Sequence, residues 1–525
     1  MTRSPRAVHR DAGPSHRRGA AIHAFTALAL LGLLGACSGG DAGELPEPIP
    51  GAGASSAGSS SMAGANSSGG GSVTAGNGAG GSSPIGGGAG SSGAAGAPGV
   101  AGAAGAPPLP GSCAEASAPY TIEKTALDPS LVLPTSSGGN NRSSLQLPVA
   151  ADSAGQTYVA LTRSQAGSME SVVAAVPGAF TSAVSGAVTG GVTATKDGFA
   201  VLLFDPNAVN ARTWAAVRRV RADGTQVYQT DLFRSPNLTA QDTKGAPEGG
   251  RLGYLPASDQ VVVYFGHTQM YDDGVRHQGG YLATLDPSGV QSVQNGWFGS
   301  HNLDRRLLVD DTGGAVLGLG DAYPEGIFFS YLGSRPRTAV LYPLAAAGNG
   351  ATNGQLGGMV DLGTEIVIPF VTNRSIPQDL DAGTWPDIDE AISQQIRDAA
   401  ANGTDLGVLR LPKSGMNPSA PLTATWLDVA RAEGARFERL KAARYGSGNL
   451  VLLGWAEATG ASRNATFQYF TTIIDPSGAV CQPKTPLPAD VAFTAADDIV
   501  RRADGSIVWA APTASGIQLV TLRPR

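Results

Sequence analysis

Short apolar runs rich in β-branched residues recur from residue 156 onward, and turn residues precede most of them. Asp197-Gly198 and Asp504-Gly505 are two of these preceding turns, and Asp286-Pro287-Ser288-Gly289 belongs to a second group that closes later strands. Because Gly accepts a positive φ without strain, short Gly-bearing turns join antiparallel neighbours. The pattern predicts antiparallel β-meanders with very little helix. The clearest runs are residues 156–161, 199–204, 260–265, 315–319, 365–370, 450–455 and 506–510.

The turns divide the chain into about seven similar units, which begin near residues 146, 193, 251, 303, 356, 439 and 498. Their mean spacing of about 59 residues is somewhat longer than a minimal four-stranded propeller blade. The units carry neither a Trp-Asp nor a kelch signature. We therefore predict an all-β fold over residues 113–525, a β-propeller of about seven blades with a range of six to eight. Two packed β-sandwiches are the alternative.

One segment departs from the strand pattern. Residues 388–401 carry apolar side chains at helical spacing, and Asp387 and Glu390 have the spacing of a capping box at its start. The acids between residues 379 and 390 also resemble an EF-hand calcium loop, but Thr384 stands where that loop requires glycine. Since capping already accounts for the acids near the helix start, we predict one helical insertion in the propeller.

The N-terminus has the composition of an export signal. Five arginines precede an apolar segment of roughly residues 20–36, which is marginal in length for a membrane span. The segment ends in Leu34-Gly35-Ala36-Cys37, which resembles the lipobox of bacterial lipoproteins. The resemblance implies cleavage of residues 1–36 as a signal peptide, and acylation of Cys37 that includes palmitate. Ser38 after the cysteine, instead of Asp, favours the outer membrane; an uncleaved anchor is the alternative.

Residues 37–112 form a predicted linker. No charged or aromatic residue occurs between positions 48 and 114. A segment with so little apolar surface is expected to stay disordered. As a Gly/Ser-type coil of about 70 residues it would reach roughly 45–50 Å. We therefore expect a tether that holds the folded region clear of the membrane.

Charge limits the expected partners. Removal of the leader changes the formal net charge from −6 to about −10, because its five arginines outnumber its one acid, Asp11. No cluster of Lys or Arg remains after it, so nucleic acid is not expected as a partner. We expect the ligand to be an envelope protein or a polysaccharide.

Two cysteines, Cys113 and Cys481, remain after the lipidation site. Exported compartments permit disulfides, and the two residues lie near opposite ends of the folded region. A propeller brings its ends together at ring closure, so a disulfide between them is predicted. Two separate thiols are the alternative.

The chain beyond the leader contains three histidines, His267, His277 and His301. Counting the reversals of alternating strands puts all three, with Asp321, at the same end of two neighbouring units. We call this the histidine end, and we call the opposite end, which consists of the short Asp/Gly turns, the turn end. The connections at the histidine end are longer and more polar, and long loops on a rigid scaffold commonly carry binding sites. We therefore predict that the histidine end is the working face.

The histidine cluster has three interpretations. In the first, its side chains form a hydrogen-bonded polar network that orders the loops. In the second, the cluster binds zinc or a similar divalent metal, for which imidazole and carboxylate are suitable ligands. The candidate ligands are His267, His277 and His301, with Asp321 or Asp272.

In the third interpretation, one histidine is a general base. A tyrosine would lie beside it, and an arginine would stabilise developing negative charge. Some propeller-fold polysaccharide lyases combine these residue types, so the arrangement resembles theirs at the level of the fold only. The candidates are His267, His277 and His301, with Tyr271 or Tyr323 and with Arg276 or Arg305.

Together these features predict a lipid-anchored cell-envelope protein that displays a propeller on a disordered stalk. We expect the propeller to be a binding or scaffold module. The alternative is an extracellular carbohydrate-active enzyme, a lyase or hydrolase, that uses the His267/His277/His301 face. No cofactor is predicted apart from the divalent metal of the second interpretation.

Overall fold

The computed structural model describes most of the chain beyond residue 112. The described residues are 113–116, 120–131, 146–165, 167–178, 181–205, 214–234, 248–270, 276–298, 302–310, 313–321, 325–332, 339–347, 351–352, 354–380, 389–401, 403–415, 420–446, 448–460 and 465–525. The predicted signal peptide, the lipidation site Cys37 and the predicted linker up to residue 112 lie outside them.

Within these residues the strands form seven antiparallel blade sheets. The first strands of successive sheets contact one another around the ring, so they surround a central channel and each sheet is one blade of a propeller. The predicted all-β propeller of about seven blades is therefore confirmed. The first strands begin at residues 149, 188, 248, 302, 355, 436 and 500, close to the unit starts expected from the turns.

The first half of the ring follows chain order. Strand β1 (Thr121–Ala126) precedes it and belongs to the last blade. Blade 1 contains β2 (Val149–Ala151), β3 (Thr157–Gln165), β4 (Ser168–Val176) and β5 (Thr181–Ser185). Blade 2 contains β6 (Val188–Thr195), β7 (Gly198–Phe204), β8 (Trp214–Arg221) and β9 (Gln226–Arg234). Blade 3 contains β10 (Glu248–Leu255), β11 (Gln260–Met270), β12 (Arg276–Leu285) and β13 (Gln291–Phe298).

The second half includes the irregular fifth blade. Blade 4 contains β14 (Asn302–Asp310), β15 (Gly313–Asp321), β16 (Glu325–Leu332) and β17 (Ala339–Tyr342). The small hairpin β18 (Ala346–Ala347) and β19 (Ala351–Thr352) follows it. In blade 5 the first strand is split into two pieces, β20 (Gln355–Leu356) and β21 (Val360–Asp361). Both pieces pair with β22 (Glu365–Thr372). The blade is completed by β23 (Asp405–Pro412) and β24 (Thr425–Trp426). Blade 6 contains β25 (Arg436–Tyr445), β26 (Leu450–Thr459), β27 (Thr466–Ile474) and β28 (Val480–Pro486).

Blade 7 closes the ring with strands from both ends of the folded region. It consists of β29 (Val500–Arg501), β30 (Ile507–Thr513) and β31 (Gly516–Arg523), and β1 pairs with β31 as its outermost strand. The predicted disulfide between Cys113 and Cys481 is present, and it ties the segment before β1 to blade 6. Closure therefore combines main-chain hydrogen bonds with a covalent link.

The core lies between the blades and depends on their second strands. β7, β22 and β26 are buried almost throughout, because a strand covered on both faces needs an apolar run instead of alternation. All seven runs identified from the sequence fall on second strands. Large side chains pack between adjacent blades, as Phe204 does against Phe265 at a ring distance of 5.7 Å. Each fully buried side chain of this size contributes about 1.5–3 kcal/mol.

One close approach between first strands requires glycine. A Cβ on Gly250 of β10 would lie 2.4 Å from the carbonyl oxygen of Gly190 in β6. No side chain fits at that distance, so Gly250 lets the first strands of blades 2 and 3 meet directly.

The two ends of the propeller differ in their connections. At the turn end, segments such as 196–197, 362–364 and 475–479 join consecutive strands. At the histidine end the connections include residues 373–404 and 487–499. The expected contrast between short turns and long connections is present in these segments but not everywhere: residues 166–167 and 514–515 are short at the histidine end, and residues 413–424 are long at the turn end.

The connection of residues 373–404 contains the α-helix α1 (Glu390–Ala401), within the predicted segment 388–401. Its cap differs from the expected one: Asp389 Oδ1 accepts hydrogen bonds from the main-chain N–H groups of Ala391 and Ile392, both at 3.0 Å. Asp387 and the middle of the EF-hand-like segment lie outside the described residues. Ile396 is a residue of this helix, and its side chain is fully buried against Ala345 and Ile376. None of the helices in the described part of the chain is long and apolar enough to cross a bilayer.

Candidate functional site

The strand register places three of the predicted site residues at one end of blades 3 and 4. His267 of β11 is opposite Gly279, and His277 of β12 is opposite Gln269 on the same hairpin. Asp321 is the last residue of β15 and pairs with Glu325. The backbone therefore agrees with the alternation of strands that predicted the histidine end.

The His267 side chain is buried in this structure, with 3% of its surface exposed. Its ring meets the rings of Tyr281 and Phe265 edge-on, at centroid distances of 5.7 and 6.3 Å. The Tyr281 hydroxyl donates to the carbonyl of Leu232 in blade 2 at 3.1 Å, and burial raises the pKa of Tyr281. His267 thus packs in the polar edge of the interface between blades 2 and 3.

The metal and general-base interpretations stay predictions. His301, Tyr271, Asp272 and Tyr323 lie outside the described residues, and of Arg276, His277 and Asp321 only the backbone is described. Among the residues that are described, no group of three or more His, Cys, Asp or Glu side chains is arranged to hold a metal ion.

Arg305, a predicted partner of the catalytic candidates, is also buried, with 5% of its surface exposed. Its guanidinium from blade 4 lies so close to blade 3 that a Cβ on Gly266 would be 2.1 Å from Nη2. Next to it, Asn302 donates to the hydroxyl of Tyr264 at 2.5 Å and accepts from the Leu319 amide at 3.1 Å. Burial raises the pKa of Tyr264, so this hydroxyl stays protonated.

A second polar cluster, which the sequence did not predict, lies in the central channel. Arg251 of β10 and Arg306 of β14 both reach Asp498, which lies two residues before the start of β29. The Nε atoms of the two arginines are each 3.2 Å from one oxygen of this carboxylate. Blades 3 and 4 are not neighbours of blade 7 in the ring, so both ion pairs cross the channel. We call these residues, with Asp304, Lys441 and Asp497, the channel cluster.

Arg306 is the most fully bonded cation of the channel cluster. Its Nη1 lies 2.5 Å from Asp304 Oδ1, and its Nη2 donates to the carbonyl of Leu356 in blade 5 at 2.8 Å. Burial lowers the pKa of Arg306, but the charges of Asp304 and Asp498 outweigh burial and raise it. Burial also raises the pKa of Asp498, and here Arg306 and Arg251 outweigh it and lower the pKa. The cation and the carboxylate therefore stabilise each other's charged form.

Asp497 and Lys441 are less well compensated. Asp497 Oδ2 accepts from the Leu147 amide at 2.7 Å and from the Thr494 hydroxyl at 2.8 Å, but Oδ1 has no hydrogen-bond partner within the described residues. Burial raises the pKa of Asp497. Lys441 donates to the carbonyl of Ala495 at 3.1 Å. Burial, followed by the nearby charge of Arg306, lowers the pKa of Lys441 to about 7.

The channel cluster can hold the ring together electrostatically, because it links the first strands of blades 3, 4 and 6 to the segment that precedes blade 7. The sequence signal for it is weak but identifiable. Arg251, Arg306 and Lys441 lie near the middle of the first strand of their units, and only Ile499 separates Asp497-Asp498 from the first strand of the last unit. An alignment of the units with one another would have put these charges in one layer.

Comparisons with known proteins do not assign a family. No protein-family model matches the chain, and no curated protein matches it. Solved structures match the chain at low levels of similarity. An α-L-arabinofuranosidase from Fusarium graminearum has 10% identity and a TM-score of 0.37, over 75% of this chain and 97% of that one.

Two other solved structures are similar to the same degree. The β-propeller domain of the Trilobed protease from Pyrococcus furiosus has 9% identity and a TM-score of 0.37, over 71% of this chain and 93% of that one. The WD40 domain of SCAP from fission yeast has 8% identity and a TM-score of 0.34, over 77% and 94%. The activities of these proteins are therefore not transferred to this chain, whose propeller fold follows from its own strand pairing.

Proposed function

We propose that the chain is a lipid-anchored cell-envelope protein whose propeller binds an envelope protein or a polysaccharide at the histidine end. The anchor rests on the resemblance of Leu34-Gly35-Ala36-Cys37 to a lipobox. The binding role rests on the propeller, a rigid scaffold on which irregular connections commonly form ligand sites.

The observation that carries the binding role is the asymmetry of the two ends. The turn end consists largely of short turns whose polar groups bond to their own neighbours. At the histidine end, the connections of residues 373–404 and 487–499 are long, and one contains helix α1. Long connections on one end offer varied side chains to a ligand, whereas closed turns offer few free donors and acceptors.

The path of the chain into the propeller supports the same orientation. β1 begins opposite Arg523, at the turn end of β31, and Cys481 follows the turn of residues 475–479. The disulfide from Cys113 therefore joins the propeller at the turn end. The described segment of residues 113–116 therefore does not cover the histidine end.

Two measurements on the full chain test the anchor. Wild-type protein should fractionate with the outer membrane and incorporate labelled palmitate. Cys37→Ser should remove the label and release the protein from the membrane. A membrane-bound, palmitate-labelled Cys37→Ser protein would rule out Cys37 as the lipidation site.

Binding is tested by applying the Cys37→Ser chain to a glycan array and to solubilised envelope proteins. Carbohydrate cleavage is the second candidate function, and the position of His267 and His277 on one hairpin favours it. Assays for reducing ends and unsaturated products on every bound glycan separate the two. Products that disappear with His277→Ala would support the enzyme, and bound glycans that stay intact would support the binding module.

A further inference from the structure

Arg439 occupies an unusual backbone position near the histidine end of blade 6. It lies in β25, where the register with β26 shifts between Glu438 and Lys441, so that Arg439 and Leu440 together oppose Trp455. Such a bulge redirects a side chain, and its first residue is commonly a glycine in the left-handed region. Here the φ angle of Arg439 is +55°; among the described non-Gly residues, only Asp259 also has a positive φ.

A non-Gly residue in this conformation persists when its surroundings hold it there, and such residues are frequent at ligand sites. Leu440 is buried, and Lys441 lies in the channel cluster, so the residues that follow the bulge fix its geometry. Glycine would meet the backbone requirement at Arg439 without strain. An arginine at this strained position therefore points to a use for the guanidinium.

The guanidinium is held in a defined plane by aromatic side chains. Its central carbon lies 4.0 Å from the centroid of the Phe467 ring and 5.9 Å from that of Tyr469. Nη1 donates to the Tyr469 hydroxyl at 2.5 Å and to the carbonyl of Phe493 at 3.0 Å. Arg439, Phe467 and Tyr469 are all partly exposed. The side chain is thus oriented in advance and accessible to a ligand.

Arg439 has no acidic partner in the part of the chain that the structure describes: no carboxylate there lies within 4.0 Å of it. The acids around it are engaged elsewhere. Glu438 forms an ion pair with Arg436, with Nε and Oε1 2.6 Å apart, and Glu457 forms one with Lys484, with Nζ and Oε1 2.5 Å apart. Nε and Nη2 of Arg439 consequently remain as donors beside a partly exposed aromatic ring.

We propose that Arg439 binds the carboxylate of a uronic-acid-bearing polysaccharide at the histidine end, between blades 6 and 7. A planar guanidinium recognises a carboxylate through paired hydrogen bonds. A uronate ring adds an apolar C–H face, which suits the exposed part of Phe467, and hydroxyl groups for the polar rim. This inference rests on the proposed binding role of the propeller and names the ligand class.

The test uses the full chain with Cys37→Ser, so that lipid attachment plays no part. Isothermal titration measures its binding to a galacturonate hexasaccharide, to the same oligosaccharide with its carboxyl groups reduced, and to hexaglutamate. We expect the galacturonate to bind at least about tenfold more tightly than either of the other two, the size of one charge-assisted hydrogen-bond pair.

Three variants give the residue-level test. Arg439→Gly removes the guanidinium and relieves the backbone strain, which partly offsets the lost contacts with Tyr469 and Phe493, so it should stay folded with a melting temperature within a few degrees of the wild type while weakening galacturonate binding at least about tenfold. Arg439→Lys keeps the charge without the planar fork and should recover part of the affinity. Arg501→Gln changes an exposed arginine at the turn end and should leave binding unchanged.

Unchanged binding by Arg439→Gly, or no binding of galacturonate by the wild type, would overturn the inference. Equal binding of hexaglutamate would overturn the assignment to a polysaccharide. If galacturonate fails but a neutral glycan or an envelope protein binds at the histidine end, the proposed function stands and this inference does not.

Discussion

The turn end and the channel cluster are both built from charged side chains, but their partners lie at very different distances along the chain. Asp475 Oδ1 accepts from the amides of Ser477 and Ala479, at 2.8 and 2.9 Å, within one turn. Arg251 instead pairs with Asp498, 247 residues away. The first contact can form as soon as the turn forms, whereas the second requires a complete ring.

The difference separates local from global stability. A substitution in one turn should affect one pair of strands, because its hydrogen bonds close on themselves. A substitution in the channel cluster should affect several blades together, because each ion pair spans the channel. Four predictions test this contrast, from the largest expected effect to the smallest.

Asp498→Ala should give the largest loss. It leaves Arg251 and buried Arg306 without their shared carboxylate, which costs about 3 kcal/mol of the free energy of unfolding, the lower end of the range for a buried pair, because the Asp498 side chain is itself 30% exposed. Urea unfolding followed by tryptophan fluorescence measures it. Asp490→Ala is the matched control, since Asp490 forms an exposed pair with Lys124 and should give no measurable change. Equal effects of the two substitutions would contradict a stabilising role for the channel cluster.

Cys481→Ser should come next. The disulfide closes a loop of most of the folded chain, and its loss lowers the free energy of unfolding by about 2–5 kcal/mol. Cys113→Ser should have the same effect, and the double substitution should add nothing further. With a reductant in the denaturation assay, the difference from the wild type should disappear; a difference that persists would point to a packing role of the cysteine.

Lys441 makes stability depend on pH in the alkaline range. Its pKa is about 7 in the folded protein and near 10.5 when unfolded, so between these values the unfolded state binds more protons. Its destabilising effect is therefore complete below pH 7, and it is relieved as the pH rises toward 10.5.

We accordingly expect the stability of the wild type, relative to Lys441→Met, to rise by up to about 1.4 kcal/mol per pH unit across this window. Urea unfolding at pH 6, 8 and 9.5 measures the difference, in which contributions from groups that do not interact with Lys441 cancel. A constant difference across the three pH values would mean that Lys441 is charged, or exposed, throughout.

Asp475→Ala should give the smallest change, about 1 kcal/mol, because the lost hydrogen bonds lie in a solvent-accessible turn. Asp475→Asn keeps an acceptor at the same place and should recover most of this loss. A fall in melting temperature measures both. A loss as large as that of Asp498→Ala would mean that the turn end is coupled to the whole ring.

Much of the fold could be predicted from the sequence because its strongest signals are local. The second strands are covered on both faces, so each appears as a continuous apolar run, and the Asp/Gly turns mark the reversals. These two signals sufficed for the blade number, and a third local signal, apolar residues at helical spacing, predicted helix α1. They did not distinguish Asp387 from Asp389 as the cap, since both acids precede the same apolar pattern.

The sites were harder to predict because their partners come from different blades. Arg306 and Asp498 have no common local pattern, and only the ring brings them together across the channel. The bulge at Arg439 depends on how Leu440 and Lys441 pack, which spacing does not reveal. The burial of His267 likewise follows from contacts with Tyr281 and blade 2, although the strand count correctly placed its backbone at the histidine end.

Ring closure in blade 7 also governs the order in which the chain can fold. β1 precedes every other strand of the ring along the chain, and its partner β31 follows them all. A nascent chain therefore carries one unpaired strand until β31 is made, and such an edge can pair with other chains. A protein truncated shortly before residue 516 would keep six complete blades and still lack its closing strand pair, which makes it a candidate for chaperone capture or aggregation instead of a smaller working propeller.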